Sequence, residues 1–207
     1  MSTTVDGDLG RRERKKIATR AALSAAALRL AVERGVENVT VEQIADEADV
    51  AVRTFFNHFS GKDEAVVAGD VGRAPSLAAA FADRPREEAL ADSLREATLV
   101  VVRSEAFRDR DHVEQMRAVR RAPGLLPRQL AAYAEQERAL AAVVAERVGA
   151  GADQELYPAL VAASTLAALR VAVAQWVAAP ADAEPAHLER LVETAFAHLG
   201  AGLAAGS

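Results

Sequence analysis

Apolar residues recur at helical spacing along almost the whole chain. In the first such segment Ile17 is followed by Leu23, Ala27, Leu30 and Ala31, which recur at spacings of three, four and seven residues, and the pattern stops before Gly35. The same periodicity, divided by prolines, predicts further helices at about residues 41–48, 52–58, 62–72, 76–82, 86–104, 109–121, 126–148, 154–179 and 186–203. We therefore predict an all-α protein.

Two of the predicted helices are short and lie next to each other. Thr40 and Gln43 form the sequence pattern of a capping box, which begins the first of them. Asp49 is suited to a tight turn, since aspartate tolerates the left-handed conformation better than most residues. A second short helix follows, and Ser60 and Gly61 end it. Two short helices joined in this way predict a helix-turn-helix, whose second helix can enter the major groove of DNA.

Spacing divides the side chains of this motif into two sets. The inward set is apolar: Ile44, Ala45, Ala48, Val50, Phe55 and Phe59. The outward set can read base edges and reach phosphates: Arg53, Thr54, Phe56, Asn57 and His58. Two alternatives stay open, a core position for Phe56 and an ordinary surface histidine at His58. Lys62 begins the next helix, where its charge and the helix N-terminus favour a phosphate.

The segment TVEQIADEADVAVRTFFNHFSGKDEAV, with ATRAALSAAALRLAVERG before it, resembles the DNA-binding domain of the TetR family of bacterial repressors over about residues 18–66. The resemblance implies a three-helix DNA-binding domain at residues 1–62, of which 1–10 are expected to be disordered. It implies a larger helical domain for ligand binding and dimerisation at residues 63–207. Several positions depart from the family pattern. Ala31 replaces an aromatic residue, Asp49 the glycine of the turn, Ala51 a frequent serine and Phe56 a frequent tyrosine, and Ser60 and Gly61 replace the usual Pro-Ser before the lysine.

The resemblance also assigns DNA contacts to individual positions. Thr40 and Lys62 are expected at the backbone, and Phe56 at a sugar or a thymine methyl group. Bases or adjacent phosphates are expected for Arg53, Thr54, Asn57 and His58. Three basic residues of the first helix are candidates for the flanking backbone: Lys15, Lys16 and Arg20.

Charge and composition narrow the class of partner. The net charge of −5 disfavours indiscriminate coating of nucleic acid, but residues 11–20 hold six basic residues and one acid. This basic segment suits a partner at one end of the protein, although a solvated tail would look the same. The chain has no cysteine, no signal peptide is recognised, and we expect a cytoplasmic protein without a membrane span, metal or cofactor.

The segment from residue 156 to 177 is apolar on nearly all sides: Leu156, Leu160, Val161, Leu166, Leu169, Val171, Val173, Trp176 and Val177. Such a helix must be covered on both sides. The last helix adds a second apolar face, with Leu188, Leu191, Val192, Phe196 and Leu199. The resemblance implies a homodimer through these last two long helices, and a fully buried central helix is the alternative.

Residues 168–178 are also similar to the ligand-binding half of regulators described as acyl-coenzyme-A-like binders. Candidate pocket residues, each of which could equally be core, are Leu99, Val102, Phe107, His112, Met116, Tyr133, Thr165, Arg170 and Trp176. Arg170 requires an anionic partner within an apolar helix, for which Glu105, Asp111 and a ligand are the candidates.

The function predicted is that of a sequence-specific repressor that releases a palindromic operator on binding a small hydrophobic or acyl-type ligand. A small helical enzyme is one alternative, but the four histidines lack metal-ligand spacing and no phosphate-binding glycine loop is present. A ligand-independent DNA-architectural protein is the other, and it would require broad positive charge.

Overall fold

The structure, a computed structural model, describes residues 10–71, 76–149, 151, 154–179 and 185–202. Its α-helices are α1 (Arg11–Arg34), α2 (Val41–Glu47), α3 (Val52–Phe56), α4 (Lys62–Val71), α5 (Leu77–Ala82), α6 (Leu90–Val102), α7 (Arg110–Arg121), α8 (Leu126–Val148), α9 (Leu156–Ala178) and α10 (Pro185–Gly200). Short 3₁₀ turns occupy Val36–Asn38, Glu105–Phe107 and Pro123–Leu125. These ranges contain no strand, and the all-α prediction is confirmed.

Most helices begin and end close to the predicted residues, and α6 is the main exception. It begins at Leu90 rather than at residue 86 because polar side chains hold the preceding residues in a turn. The Glu88 carboxylate accepts hydrogen bonds from Arg84 Nε at 3.0 Å and from Ser93 Oγ at 2.8 Å. The predicted disorder of residues 1–10 lies, apart from Gly10, outside the described residues.

The chain divides into two compact units, and the division falls within α4, after Gly69. The sequence prediction placed the boundary between residues 62 and 63, where the same helix begins. In the first unit α2 packs against both α1 and α3. Gly69 brings α4 against α1 so closely that a β-carbon there would lie 2.4 Å from the Ser24 carbonyl oxygen. Only glycine permits this approach of the two backbones.

The second unit is a bundle around a single hydrophobic core. Its central helix, α9, packs against α8 and α10, and α10 also packs against α6. α5 covers α6 and α8. The largest fully buried side chains of this core are Phe81, Leu99, Leu140 and Leu188. Together these contacts account for most of the apolar periodicity of the second half of the chain.

Two arginines connect segments of this bundle that are distant in sequence. Arg147 donates to the Ser93 hydroxyl at 2.8 Å, and its guanidinium lies 4.9 Å from the Phe81 ring centroid. Arg117 Nε donates to the carbonyl of Val177 at 2.8 Å. Because the last carbonyls of a helix have no partner within it, this bond caps the C-terminal end of α9.

α9 has a side that is buried in the core and a side that is exposed in the single chain. Leu166, Val173 and Trp176 are buried in the core, whereas Leu156 is 73% exposed and Leu160 and Val171 are each more than half exposed. By length and composition α9 is apolar enough to cross a membrane, and it is the one described helix that is. A core helix of a soluble bundle has the same character, so this is weak evidence for a membrane span.

Candidate functional site

The first residues of α2 are held by a complete capping box. The Thr40 hydroxyl accepts the backbone N–H of Gln43 at 3.3 Å, and the Gln43 side-chain oxygen accepts the N–H of Thr40 at 3.0 Å. Two N–H groups that the helix cannot satisfy are thereby paired. Thr40 remains exposed, so its hydroxyl lies at the surface at the beginning of the motif.

The turn between α2 and α3 depends on a left-handed residue. Asp49 has a φ of 52°, and it is the only non-glycine residue with positive φ among those described. The turn is closed by the N–H of Val50, which donates to the Ala45 carbonyl at 2.9 Å. Ala51 is the N-cap of α3 and makes no side-chain capping bond. Backbone geometry therefore sets the direction of α3.

The inward side of the motif is apolar and closely packed. Phe55 and Phe59 are buried, with ring centroids 5.7 Å apart. Ile44 and Ala45 are the buried residues of α2. Ala48 and Val50 are only half-buried. They flank the turn, where the chain lies at the surface, so their predicted inward positions are met only in part.

The outward side of α3 carries the predicted DNA-contacting residues together. Phe56 is 58% exposed, although its neighbour Phe55 is fully buried, so the alternative of a core position for Phe56 is wrong. Arg53 and Asn57 are exposed, and Thr54 is half-buried. An exposed guanidinium, amide and aromatic ring on one short helix form a surface that can contact base edges.

His58 lies at the edge of this surface in a partly buried position. Its Nδ1 atom is buried without a hydrogen-bond partner. Desolvation, with smaller repulsions from Arg20 and Lys16, lowers the pKa of the His58 imidazole below its usual value. The lower pKa favours the neutral ring in the free protein, and the role of His58 in DNA binding stays a prediction.

The basic residues near the motif differ in whether their side chains are exposed or make contacts within the protein. Lys15 and Lys16 are exposed on α1. Arg20 instead donates to the His58 carbonyl, lies 4.2 Å from the Phe59 ring centroid and is 3.8 Å from a Glu64 carboxylate oxygen. The side chain that was predicted to reach DNA thus also joins α1 to the end of α3.

Lys62 holds the loop that precedes α2. Its ammonium donates to the carbonyl of Val39 at 2.8 Å and to that of Glu37 at 3.2 Å. These bonds use two of its three N–H groups. Lys62 therefore contributes to the architecture of the motif whether or not it also contacts phosphate.

The second unit contains a cavity of about 490 Å³ with mainly apolar walls. Five of the nine predicted pocket residues line it: Phe107, His112, Met116, Tyr133 and Arg170. The other four do not and are buried in the core instead: Leu99, Val102, Thr165 and Trp176. Trp176 packs edge-on against Phe107, with ring centroids 6.1 Å apart. Spacing alone placed them on the buried side of a helix but could not separate core from cavity wall.

Arg170 pairs within the protein. Its Nη1 lies 3.3 Å from Glu137 Oε1, and its guanidinium carbon is 5.2 Å from the Tyr133 ring centroid. The predicted partners Glu105 and Asp111 are therefore wrong. Glu137 is available because α8, which carries it, packs along α9.

Several polar residues of the cavity were not predicted: Asp70, Ser76, Arg120 and Gln136. Asp70 is the most unusual of them, because its Oδ1 atom is buried and has no hydrogen-bond partner. Burial raises the pKa of the Asp70 carboxyl to about 6, although the nearby Arg120 lowers it. Asp70 follows buried Val66 by one helical turn, so periodicity could have placed this carboxyl on the inner side of α4.

Comparison with known families assigns both units. Residues 16–68 match the family described as "Bacterial regulatory proteins, tetR family", and residues 88–204 match the "MftR C-terminal domain". The chain belongs to the TetR family. It is accordingly a DNA-binding transcriptional regulator and not an enzyme. The resemblance of the helix-turn-helix to TetR repressors is thus confirmed, and the family match extends to the second unit.

Individual relatives agree with this assignment. The HTH-type transcriptional regulator TcmR of Streptomyces glaucescens is 36% identical over 81% of this chain and 76% of its own length. Similar folds are found in NalD, the secondary repressor of the MexAB-OprM multidrug efflux pump in Pseudomonas aeruginosa (TM-score 0.57, 18% identity, 89% of this chain and 96% of NalD). The fold also resembles that of SmeT in complex with triclosan (TM-score 0.56, 20% identity, 89% and 91%).

Proposed function

We propose that this TetR-family chain is a cytoplasmic repressor that binds a partly palindromic operator as a homodimer. It releases the operator when a small molecule enters the cavity of the second unit. The observation that carries the proposal is the exposed side of α3. Arg53, Phe56 and Asn57 extend outward there, while the adjacent Phe55 and Phe59 fix the helix from inside.

Each side chain of this surface has a distinct role in the proposed complex. Arg53 and Asn57 read base edges, since a guanidinium and an amide offer paired hydrogen bonds. Phe56 lies against a thymine methyl or a sugar, and Thr54 and His58 contact bases or adjacent phosphates. Backbone contacts that carry no sequence information are assigned to Thr40, Lys15, Lys16 and Arg20, and to the remaining N–H of Lys62.

The outward side of α9 supports dimerisation through the last two helices. Leu156, Leu160 and Val171 are exposed on it at helical spacing. Large apolar side chains exposed along one side of a helix favour an interaction site there. A homodimer would place two recognition helices on half-sites about 34 Å apart or a multiple of that distance.

The cavity supports control by a small molecule. Its volume of about 490 Å³ lies in the range of ligand pockets, and its walls combine apolar side chains with a few polar groups. The similarly folded SmeT is recorded in complex with triclosan. The effector proposed is therefore a mainly hydrophobic molecule.

The DNA-binding proposal is tested by fluorescence anisotropy. The intergenic DNA next to the gene for this protein is compared with random DNA of the same length. Operator DNA is expected to bind about a thousandfold more tightly, the lower end of the range for specific proteins. Affinity should fall by about 0.9 log units per log unit of salt for each phosphate contacted. Equal affinity for both DNAs would instead support the architectural alternative and overturn the proposal.

The dimer is tested by analytical ultracentrifugation of Leu160→Glu, with Leu130→Glu as the matched control. Leu160 and Leu130 are exposed to nearly the same extent, 55% and 57%, but Leu130 is on α8. We expect the first variant to become monomeric and to lose operator binding, and the second to remain a dimer. A dimeric Leu160→Glu variant contradicts the proposed interface.

A further inference from the structure

The cavity of the second unit contains an acceptor that has no hydrogen-bond partner among the described residues. Asp70 lines the cavity, and although part of the residue remains accessible to solvent, its Oδ1 atom is buried without a hydrogen-bond partner. A buried polar atom in this condition is disfavoured unless something else pairs with it. An N–H or O–H donor inside the cavity is the group that Oδ1 requires.

Two arginines line the cavity among the described residues, Arg120 and Arg170, and neither meets this requirement. Arg170 is neutralised by Glu137 on α8, at 3.3 Å. Arg120 influences Asp70 electrostatically, yet no ion pair joins them within 4.0 Å in the described part of the chain, and Arg120 is exposed. Because solvent screens an exposed charge, the requirement at Asp70 is local and concerns a donor in direct contact with Oδ1.

The remaining walls describe the rest of a ligand. They are mainly aliphatic and aromatic, with Val101, Phe107, Met116, Leu166 and Val173 among them. A molecule that fills this space is therefore apolar over most of its surface. A carboxylate or thioester head group offers no hydrogen to Asp70, and a carboxylate would be repelled by its negative charge.

We infer that the effector cavity takes an apolar molecule with a protonated amine, and that the ammonium donates a hydrogen bond to Asp70 Oδ1. This inference rests on the proposed function and names the ligand class for the same site. It departs from the acyl-type ligand expected from the sequence. The ammonium is favoured over a neutral hydroxyl because a charge-assisted hydrogen bond to a carboxylate is the stronger interaction.

Four probes that share one skeleton test the head group: 4-phenylbutylamine, 4-phenylbutan-1-ol, 4-phenylbutyric acid and butylbenzene. Their binding to the full chain is measured by isothermal titration calorimetry at pH 7.5. We expect the amine to bind with a Kd between about 0.1 and 1 mM, as suits a ligand of this size. It should bind about tenfold more tightly than the alcohol, and the acid should bind more weakly still.

Asp70→Asn identifies the residue responsible, with Asp92→Asn as the matched control. Asp92 is an exposed carboxylate on α6 that does not line the cavity. We expect Asp70→Asn to reduce the affinity for the amine about tenfold and to leave that for the alcohol nearly unchanged. The unchanged alcohol affinity shows that the cavity is intact, and Asp92→Asn should behave as the wild type with all four probes.

The pH dependence gives a second readout. The pKa of about 6 for Asp70 means that its carboxylate becomes protonated as the pH falls below that value. Affinity for the amine should therefore fall about tenfold between pH 7 and pH 5. His112, Arg120, Arg170 and Glu137 also lie in or beside the cavity. The same titration of Asp70→Asn isolates the contribution of Asp70, since only that contribution disappears.

The inference is overturned if the acid binds as tightly as the amine. It is also overturned if the amine does not bind at 5 mM, roughly five times the upper limit of the expected Kd, or if Asp70→Asn leaves its affinity unchanged. Operator release is measured separately, by anisotropy with the same probes. Release by the acid but not the amine leaves ligand control standing and removes the amine assignment. If the amine binds through Asp70 but no probe releases the operator, the amine assignment stands and control of DNA binding by the ligand is removed.

Discussion

The two units of this regulator present their functional groups in opposite ways. In the first unit Arg53, Phe56 and Asn57 are exposed on a helix that is fixed from below by buried aromatic rings. In the second unit the Asp70 carboxyl lines a cavity, and one of its oxygens is buried without a hydrogen-bond partner among the described residues. The exposed groups cost the free protein little stability, whereas the buried one destabilises it until a partner arrives.

This difference indicates where stability and function compete. Variants of the DNA-contacting surface should change binding and leave folding nearly unaffected. Variants of Asp70 should change both, and in opposite directions.

The largest effect is expected from the neighbouring phenylalanines of α3. Phe55→Ala removes a fully buried ring and should lower the free energy of unfolding by about 3–5 kcal/mol. Phe56→Ala removes an exposed ring and should change it by less than about 0.5 kcal/mol, while weakening operator binding. Chemical denaturation and anisotropy measure the two quantities. Similar stability losses in both variants would contradict the separation into inward and outward sides.

Asp70→Asn should stabilise the free protein by up to about 3 kcal/mol above pH 6. The folded-state pKa of about 6 lies above the unfolded value near 3.8, so the native state binds more protons between these values. Wild-type stability therefore falls as the pH rises from about 4 to 6, and the cost persists above that range. Thermal unfolding of the variant should lack this pH dependence. A destabilised variant at pH 7.5 would show that Asp70 is already paired.

Variants of the DNA-contacting surface should separate base reading from backbone binding. Arg53→Ala or Asn57→Ala should each reduce discrimination at particular base pairs by about 1–3 kcal/mol. Lys15→Ala with Lys16→Ala should weaken binding to every sequence alike and reduce the salt slope by about 0.9 for each phosphate that is no longer neutralised. Competition binding against single-base operator variants distinguishes the two. Uniform losses in all these variants would remove the division of roles.

The smallest effect concerns the turn. Asp49→Ala should lower the free energy of unfolding by about 1 kcal/mol, because alanine is disfavoured at a φ of 52°. Asp49→Gly should change it little, since glycine adopts this conformation without steric cost. Denaturant unfolding of the two variants provides the comparison, and equal values would mean that the turn imposes no strain.

The sequence predicts the helix-turn-helix of the first unit more completely than the cavity of the second. The reason is how far apart in the sequence the interacting residues lie. The capping box of Thr40 and Gln43 and the turn at Asp49 are formed by neighbours in the chain, so spacing reveals them. The pairing of Arg170 with Glu137 joins residues 33 positions apart and depends on how α8 packs on α9. No local pattern contains that information.

Residue type alone also does not reveal a second role of the same side chain. The sequence predicts Lys62 at a DNA phosphate, and the structure adds that its ammonium donates to two carbonyls of the loop before α2. Residue type does not single out Asp70, because a lone carboxylate in a helix is usually solvated. Only the cavity beside it shows that this one is not.

The exposed apolar side of α9 has a consequence for regulation in the cell. If it is the dimer interface, the DNA-binding form is assembled from two chains, and while dimers are scarce its amount rises with the square of the protomer concentration. Doubling the gene dosage would then raise operator occupancy up to fourfold in that regime. The response of the regulated genes to the abundance of their regulator would thus be set by three side chains that are distant in sequence from the DNA-contacting helix: Leu156, Leu160 and Val171.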